Sequence, residues 1–153
     1  MNKSYCSLIV LTFIITGLWD LSLQFITHNY DKMPEFVKWF DFIESLKPYF
    51  KQHTILSAIL LAAFVGAIAQ AIILKMHKLP TNLNSLITFL SITFIISGLV
   101  GFPMQYSGLF PILDETYYNH LGPFRGFYHD GISGLIVQIT LLVLLYGTKS
   151  IGY

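Results

Sequence analysis

Charge is what this chain has least of. Its 153 residues include nine Lys and Arg and eight Asp and Glu, 11% together, against 54% hydrophobic residues. That balance is too apolar for an ordinary soluble domain of this size. The net charge of +1 offers no basic surface to meet nucleic-acid phosphates, so no nucleic-acid partner is expected. Cysteine is nearly missing as well. Cys6 alone excludes an internal disulfide framework and a Cys-rich zinc site. At the start of an apolar run it reads either as a palmitoylation site or as an inert thiol at a membrane edge. No nucleophile elbow, phosphate loop, HExxH or dinucleotide fingerprint occurs. His53, His120, His129, Asp114 and Glu115 lack the spacing of a zinc ligand set. With nothing to select a substrate or a cofactor, the chain reads as non-enzymatic.

What is present is apolar length. Runs near the ~20 residues that cross a bilayer cover Ser7 to Phe25, Thr54 to Leu74, Ser85 to Met104 and Ile132 to Tyr146, the last drawing residues from either end. The expected fold is an all-α integral membrane protein with four transmembrane helices in one domain, 1–153, and the lipid bilayer is its first partner. Lys3 and the run from Leu8 to Leu18 fit a signal peptide, yet no small-x-small cleavage site follows. The first run is therefore kept as a true span.

That choice is reinforced by a repeat. Thr12 to Gln24, TFIITGLWDLSLQ, returns as Thr93 to Gln105, TFIISGLVGFPMQ, at an offset of 81 positions. Residues four apart share a helix face. Thr12, Thr16, Asp20 and Gln24 thus form one polar stripe, echoed by Thr93, Ser97, Gly101 and Gln105, with an aspartate in the first where the second has glycine. The second spans also recur. LKPYFKQHTILSAI, from Leu46, aligns with LGPFRGFYHDGISGLI, from Leu121, pairing Pro48 with Pro123, His53 with His129 and Ser57 with Ser133. Repeat one covers 7–75 and repeat two 85–148. Each hairpin crosses twice, so the two keep one orientation and a pseudo-twofold along the membrane normal is expected.

Lys3, Lys75, Lys78 and Lys149 lie on short segments free of acids, whereas the two long loops mix cations with seven carboxylates. By the positive-inside rule both termini are cytoplasmic and loops 26–53 and 105–131 external or lumenal. Pro34 to Leu46 places Phe36, Trp39, Phe40, Ile43 and Leu46 at helical spacing, an amphipathic helix expected to lie over the bundle as a lid. The second span is rich in Ala and Gly, which in lipid is how helices approach closely. It should sit centrally or make the contact of a homo-oligomer.

Asp20 is the strongest candidate for chemistry, because a carboxylate within a span costs on the order of 3 kcal/mol and normally has a purpose. It reads as a proton or cation site, a counter-ion for an amine, or a packing residue bonded to Thr16 or Gln24. Trp19 beside it has the look of an interfacial anchor. His53 and His129 stand at the entrances of spans two and four, where imidazoles titrate near neutral pH. Asp130 joins them as a vestibule acid or as a helix cap for Gly131 to Ser133, with Thr54 as the equivalent cap. Gln70 and Gln138 are deep amides, suited to a polar path or to bonding between helices. Pro103, with Gly98 and Gly101, is expected to kink or end span three early. Together these residues suggest a polar pathway or pocket for a proton, cation or small solute.

Two resemblances attach to these residues. FVGAIAQAIIL, LKPYFKQHTILSAI and GFYHDGISGLIVQ resemble segments of small multi-pass membrane proteins encoded by large DNA viruses of the phycodnavirus and mimivirus kind. That likeness covers most of the chain and implies a viral membrane protein with a structural or assembly role. Four spans, a long first lumenal loop and an acid in span one are similar to the EXPERA family of sterol isomerases and sigma-2-type receptors, which implies a sterol or lipid ligand. The duplication and the lack of a carboxylate in span two depart from that family's pattern.

Overall fold

A computed structural model describes residues 3–38, 55–106 and 124–150. Among them are four long helices, α1 Lys3–His28, α2 Ile55–Met76, α3 Leu83–Tyr106 and α4 Arg125–Ser150. Each contains a stretch long and apolar enough to cross a membrane, at Tyr5–His28, Ile59–Met76, Leu83–Pro103 and Phe127–Gly147. These features are consistent with a multi-pass membrane protein. A single 3-10 turn, Tyr30–Lys32, follows α1, and one helical turn, Glu35–Lys38, opens the expected lid, whose residues 39–46 lie outside the described ones.

The helices form a bundle in which α1 packs mainly on α2 and α3 mainly on α4. Lesser contacts join α2 to α3 and α1 to α4. Thus α2 and α4 face each other across one diagonal, and each helix touches a neighbour on both sides. Two apolar clusters fill the interior towards the end that holds the α2–α3 connector. One joins Leu8 and Ile15 of α1 with Leu74, Val137 and Leu141; the other joins Ile73, Phe89 and Leu142.

The α2–α3 connector is short and well tied. Asn82 caps α3, its Oδ1 accepting from the Ser85 amide at 2.9 Å, while Ser85 Oγ accepts from the Thr81 and Asn82 amides at 3.0 Å each. Such reciprocal bonding satisfies amides that the first helical turn leaves without partners. Tyr146 of α4 donates its hydroxyl to the Pro80 carbonyl at 2.6 Å and so holds the connector to the bundle.

The distribution of polarity runs opposite to that of a water-soluble bundle. Val10, Ile14, Leu18, Leu21 and Phe25 on α1 are exposed, as are Phe64 and Ile68 on α2, Ile95 and Leu99 on α3, and Ile139 and Val143 on α4. Thr12, Asp20, Gln24, Thr27, Gln70, Thr93, Ser97 and Gln138 are buried. Apolar surface on every helix is what an apolar solvent accepts and water does not.

One sequence expectation changes. Helix α3 does not end early at Pro103; it runs through that residue to Tyr106. Pro103 is exposed and sits one turn from the helix end, where only one ladder bond is lost. Helix α4 draws residues from both ends of the apolar run from Ile132, as expected of so short a run, and begins at Arg125. The extra turns bring Phe127 and Tyr128 against Phe94 of α3, edge to face, with ring centroids 5.6 and 6.3 Å apart.

Candidate functional site

The buried polar side chains follow from the stripes. On α1, Thr12 Oγ1 donates to the Leu8 carbonyl and Thr16 Oγ1 to the Thr12 carbonyl, both at 2.8 Å. On α3, Thr93 Oγ1 donates to the Phe89 carbonyl at 2.9 Å. Hydroxyls bonded back to their own helix cost little when buried, since donor and acceptor are both satisfied. The next position outward meets glycine in each hairpin. A Cβ on Gly66 would overlap Thr16 Oγ1, and one on Gly134 would overlap Ser97 Oγ. Glycine at these two places lets each hydroxyl-bearing helix approach its neighbour to backbone contact.

One turn inward from those glycines stand Gln70 and Gln138, both 1% exposed. Gln138 Nε2 donates to Gln70 Oε1 at 2.6 Å, across the diagonal between α2 and α4. The amides' other atoms, Gln70 Nε2 and Gln138 Oε1, are buried without partners among the described residues. One donor and one acceptor remain there for a bridging water or a small polar guest. Thr12, at 3% exposure, and Thr93, at 1%, are buried on α1 and α3.

Towards the opposite end of the bundle from the α2–α3 connector, Asp20 is buried and accepts from Gln24 Nε2 at 2.7 Å. Of the two partners expected for it, Gln24 is the one bonded, and Thr16 turns its hydroxyl to the backbone instead. Thr27, two turns beyond Asp20, is also buried, with no partner for Oγ1 among the described residues. Trp19 packs partly buried against the cluster of Leu8, Ile15 and Val137. It acts there as a core residue, and its Nε1 is buried without a partner among the described residues.

Asp130 is not a helix cap. It lies in the second turn of α4, where the amides of Gly131 to Ser133 are already committed to the helix that starts at Arg125. Its side chain lies against Gly101 of α3, so closely that a Cβ on that glycine would overlap the carboxylate. His129 is partly buried beside it in sequence. His53 and the Thr54 cap fall outside the described residues, and of Gln105 only its place on the last turn of α3 is described. Among the described residues no three His, Cys, Asp or Glu are grouped to hold a metal ion.

The candidate site residues that are described make local contacts, each with a named neighbour. These contacts are Asp20 with Gln24, Asp130 against Gly101, and Gln70 with Gln138. The buried threonines and the Ser97–Gly134 contact were hidden in the sequence by their similarity to ordinary helix residues, and the repeat is the one signal that marks them. No protein-family model, curated protein or solved structure matches the chain.

Proposed function

We propose that this is an integral membrane protein of two tandem, pseudo-symmetric hairpins, α1–α2 and α3–α4, whose interior offers a polar route or pocket for a proton, a cation or a small solute. Both termini face the cytoplasm in this reading, and no chemistry is performed on the guest. The single observation that carries it is the inverted polarity: glutamines, threonines and an aspartate are buried while large apolar side chains face outward on all four helices. In a bilayer a buried polar group is costly unless it serves packing or passage.

The contacts support the pseudo-twofold beyond the repeat motif. An offset of 81 relates α1 to α3, and an offset of 68 relates α2 to α4. Under these offsets Thr16 against Gly66 becomes Ser97 against Gly134. Leu8, Leu74 and Leu141 of one cluster become Phe89, Leu142 and Ile73 of the other. The axis runs between α2 and α4, where Gln70 and Gln138 exchange places and bond to each other. This register differs from the pairing of His53 with His129, whose spacing is eight residues longer.

Flux into proteoliposomes tests the reading, using protons and monovalent cations with purified protein and with Asp20→Asn. Flux that falls in the variant supports it; equal flux for both proteins, or none for either, removes Asp20 as a transport residue. A second reading, a structural or assembly protein of a viral or host membrane, is favoured by the hydroxyls that bond only their own helices. On that reading Asp20→Asn leaves function intact and bulky changes at Gly66 break assembly.

A further inference from the structure

We propose that the bundle holds two equivalent carboxylate sites, one per hairpin, and that the second is Asp130 seated on Gly101. Each takes a proton or a monovalent cation, a ligand class that rests on the reading above. Gly101 marks where the second stripe departs from the first. It occupies in α3 the place that Asp20 occupies in α1, at the repeat offset of 81. The second stripe thus lacks the acid of the first. Yet the volume beside Gly101 is not empty: Cβ, Cγ and Oδ2 of Asp130, reaching from α4, all lie within 3 Å of where a Cβ on Gly101 would be.

The first hairpin shows the arrangement in reverse. By the register that equates Gly66 with Gly134, the counterpart of Asp130 on α2 is Ala62. Asp20 lies one turn outward from Thr16, and Ala62 one turn outward from Gly66, so this small residue falls at the level of the acid. One hairpin pairs an acid on its first helix with a small residue on its second. The other pairs a glycine on its first helix with an acid on its second. A carboxylate and a small residue have changed sides of the same helix interface, and the interface keeps one of each. A carboxylate kept for its own helix's packing has no reason to reappear on the opposite helix at the same level. One kept because something binds at that level does, since a buried acid in a membrane is held by a proton, a cation or a polar partner. The unequal stripes that suggest a single site at Asp20 thus give way to two.

The test combines a swap with a carboxyl probe. Gly101→Asp alone is expected to lose the monodisperse peak in detergent, because its side chain and that of Asp130 claim one volume. Gly101→Asp with Asp130→Ala recreates the arrangement of the first hairpin and is expected to restore that peak. Dicyclohexylcarbodiimide adds the O–H of a membrane-buried carboxylic acid across its C=N bond, and peptide mass mapping locates the adduct. Wild type is expected to be modified at Asp20 and Asp130, and the swap variant at Asp20 and at position 101. Slowing of both reactions by sodium but not by choline assigns a cation; equal rates in the two salts assign the proton. Modification confined to Asp20, or a swap variant that fails to fold while Asp130→Ala alone folds, overturns the proposal. Absence of flux through the unmodified protein, with both carboxyls reactive towards the carbodiimide, removes the route and leaves the two sites standing.

Discussion

Replacing the two central glutamines separately and together gives a measurable signature of their pairing. Gln138→Leu keeps the volume but leaves Gln70 with both amide atoms unpaired, where Nε2 alone lacks a partner in the native bundle. The cost is about 1–3 kcal/mol for the stranded group, and Gln70→Leu does the same to Gln138. The pair itself is worth less, as bonds between membrane helices average ~0.6 kcal/mol and reach ~1.7. Gln70→Leu with Gln138→Leu removes all four polar atoms, including the two already without partners, so its stability should lie within about 0.5 kcal/mol of wild type or above it. The two single costs then fail to add by about 2–6 kcal/mol, the signature of direct contact. Thermal unfolding in detergent by circular dichroism reads this as a fall of roughly 2–12 °C for each single variant and little change for the double, at about 2–4 °C per kcal/mol for a chain of this size. A double variant as unstable as the sum of the singles refutes the reasoning. Where the double folds normally but loses flux, the glutamines line the route as well as bridge it.

Other variants report on the close approaches and on the symmetry. Gly66→Ala and Gly134→Ala should each cost about 1–3 kcal/mol through overpacking on Thr16 and Ser97, read as a lower midpoint of thermal unfolding. Gly147→Ala meets nothing within 4 Å and should be neutral or gain up to about 1 kcal/mol in the same assay. Thr12→Val and Thr93→Val each remove one bond to the helix backbone, at 2.8 and 2.9 Å; their effects should agree within about 0.5 kcal/mol, and a larger difference speaks against equivalent environments.

The number and place of the long helices were legible because bilayer-length apolar runs and a seven-residue repeat, T-F-I-I-[T/S]-G-L, are strong signals. The bond between Asp20 and Gln24 also follows from their four-residue spacing. The pairing of α2 with α4 was harder. Its signal is a glycine and a glutamine four residues apart within runs of Ala, Ile and Val, far weaker than the Pro and His of the loop ends that align at another offset. Asp130 reads as a cap because His-Asp-Gly resembles a helix start. The helix begins earlier, since Phe127 and Tyr128 gain more by packing on Phe94 than by remaining in a loop. That Asp130 fills the space of Gly101 depends on which helices touch, a fact of tertiary packing that no local pattern encodes.

The paired carboxylate sites depend on one hairpin being the other turned about an axis between α2 and α4. Leu18, Leu99, Phe64 and Ile132 are exposed, and the proposed axis would exchange Leu18 with Leu99 and Phe64 with Ile132. With the exposed Cys6 replaced by serine, spin labels are placed at 18 and 132 in one protein and at 64 and 99 in another. A twofold makes these two separations equal. Double electron–electron resonance in bilayers should therefore give superimposable distance distributions, and maxima that differ by more than one helical turn, ~5.4 Å, would contradict the account.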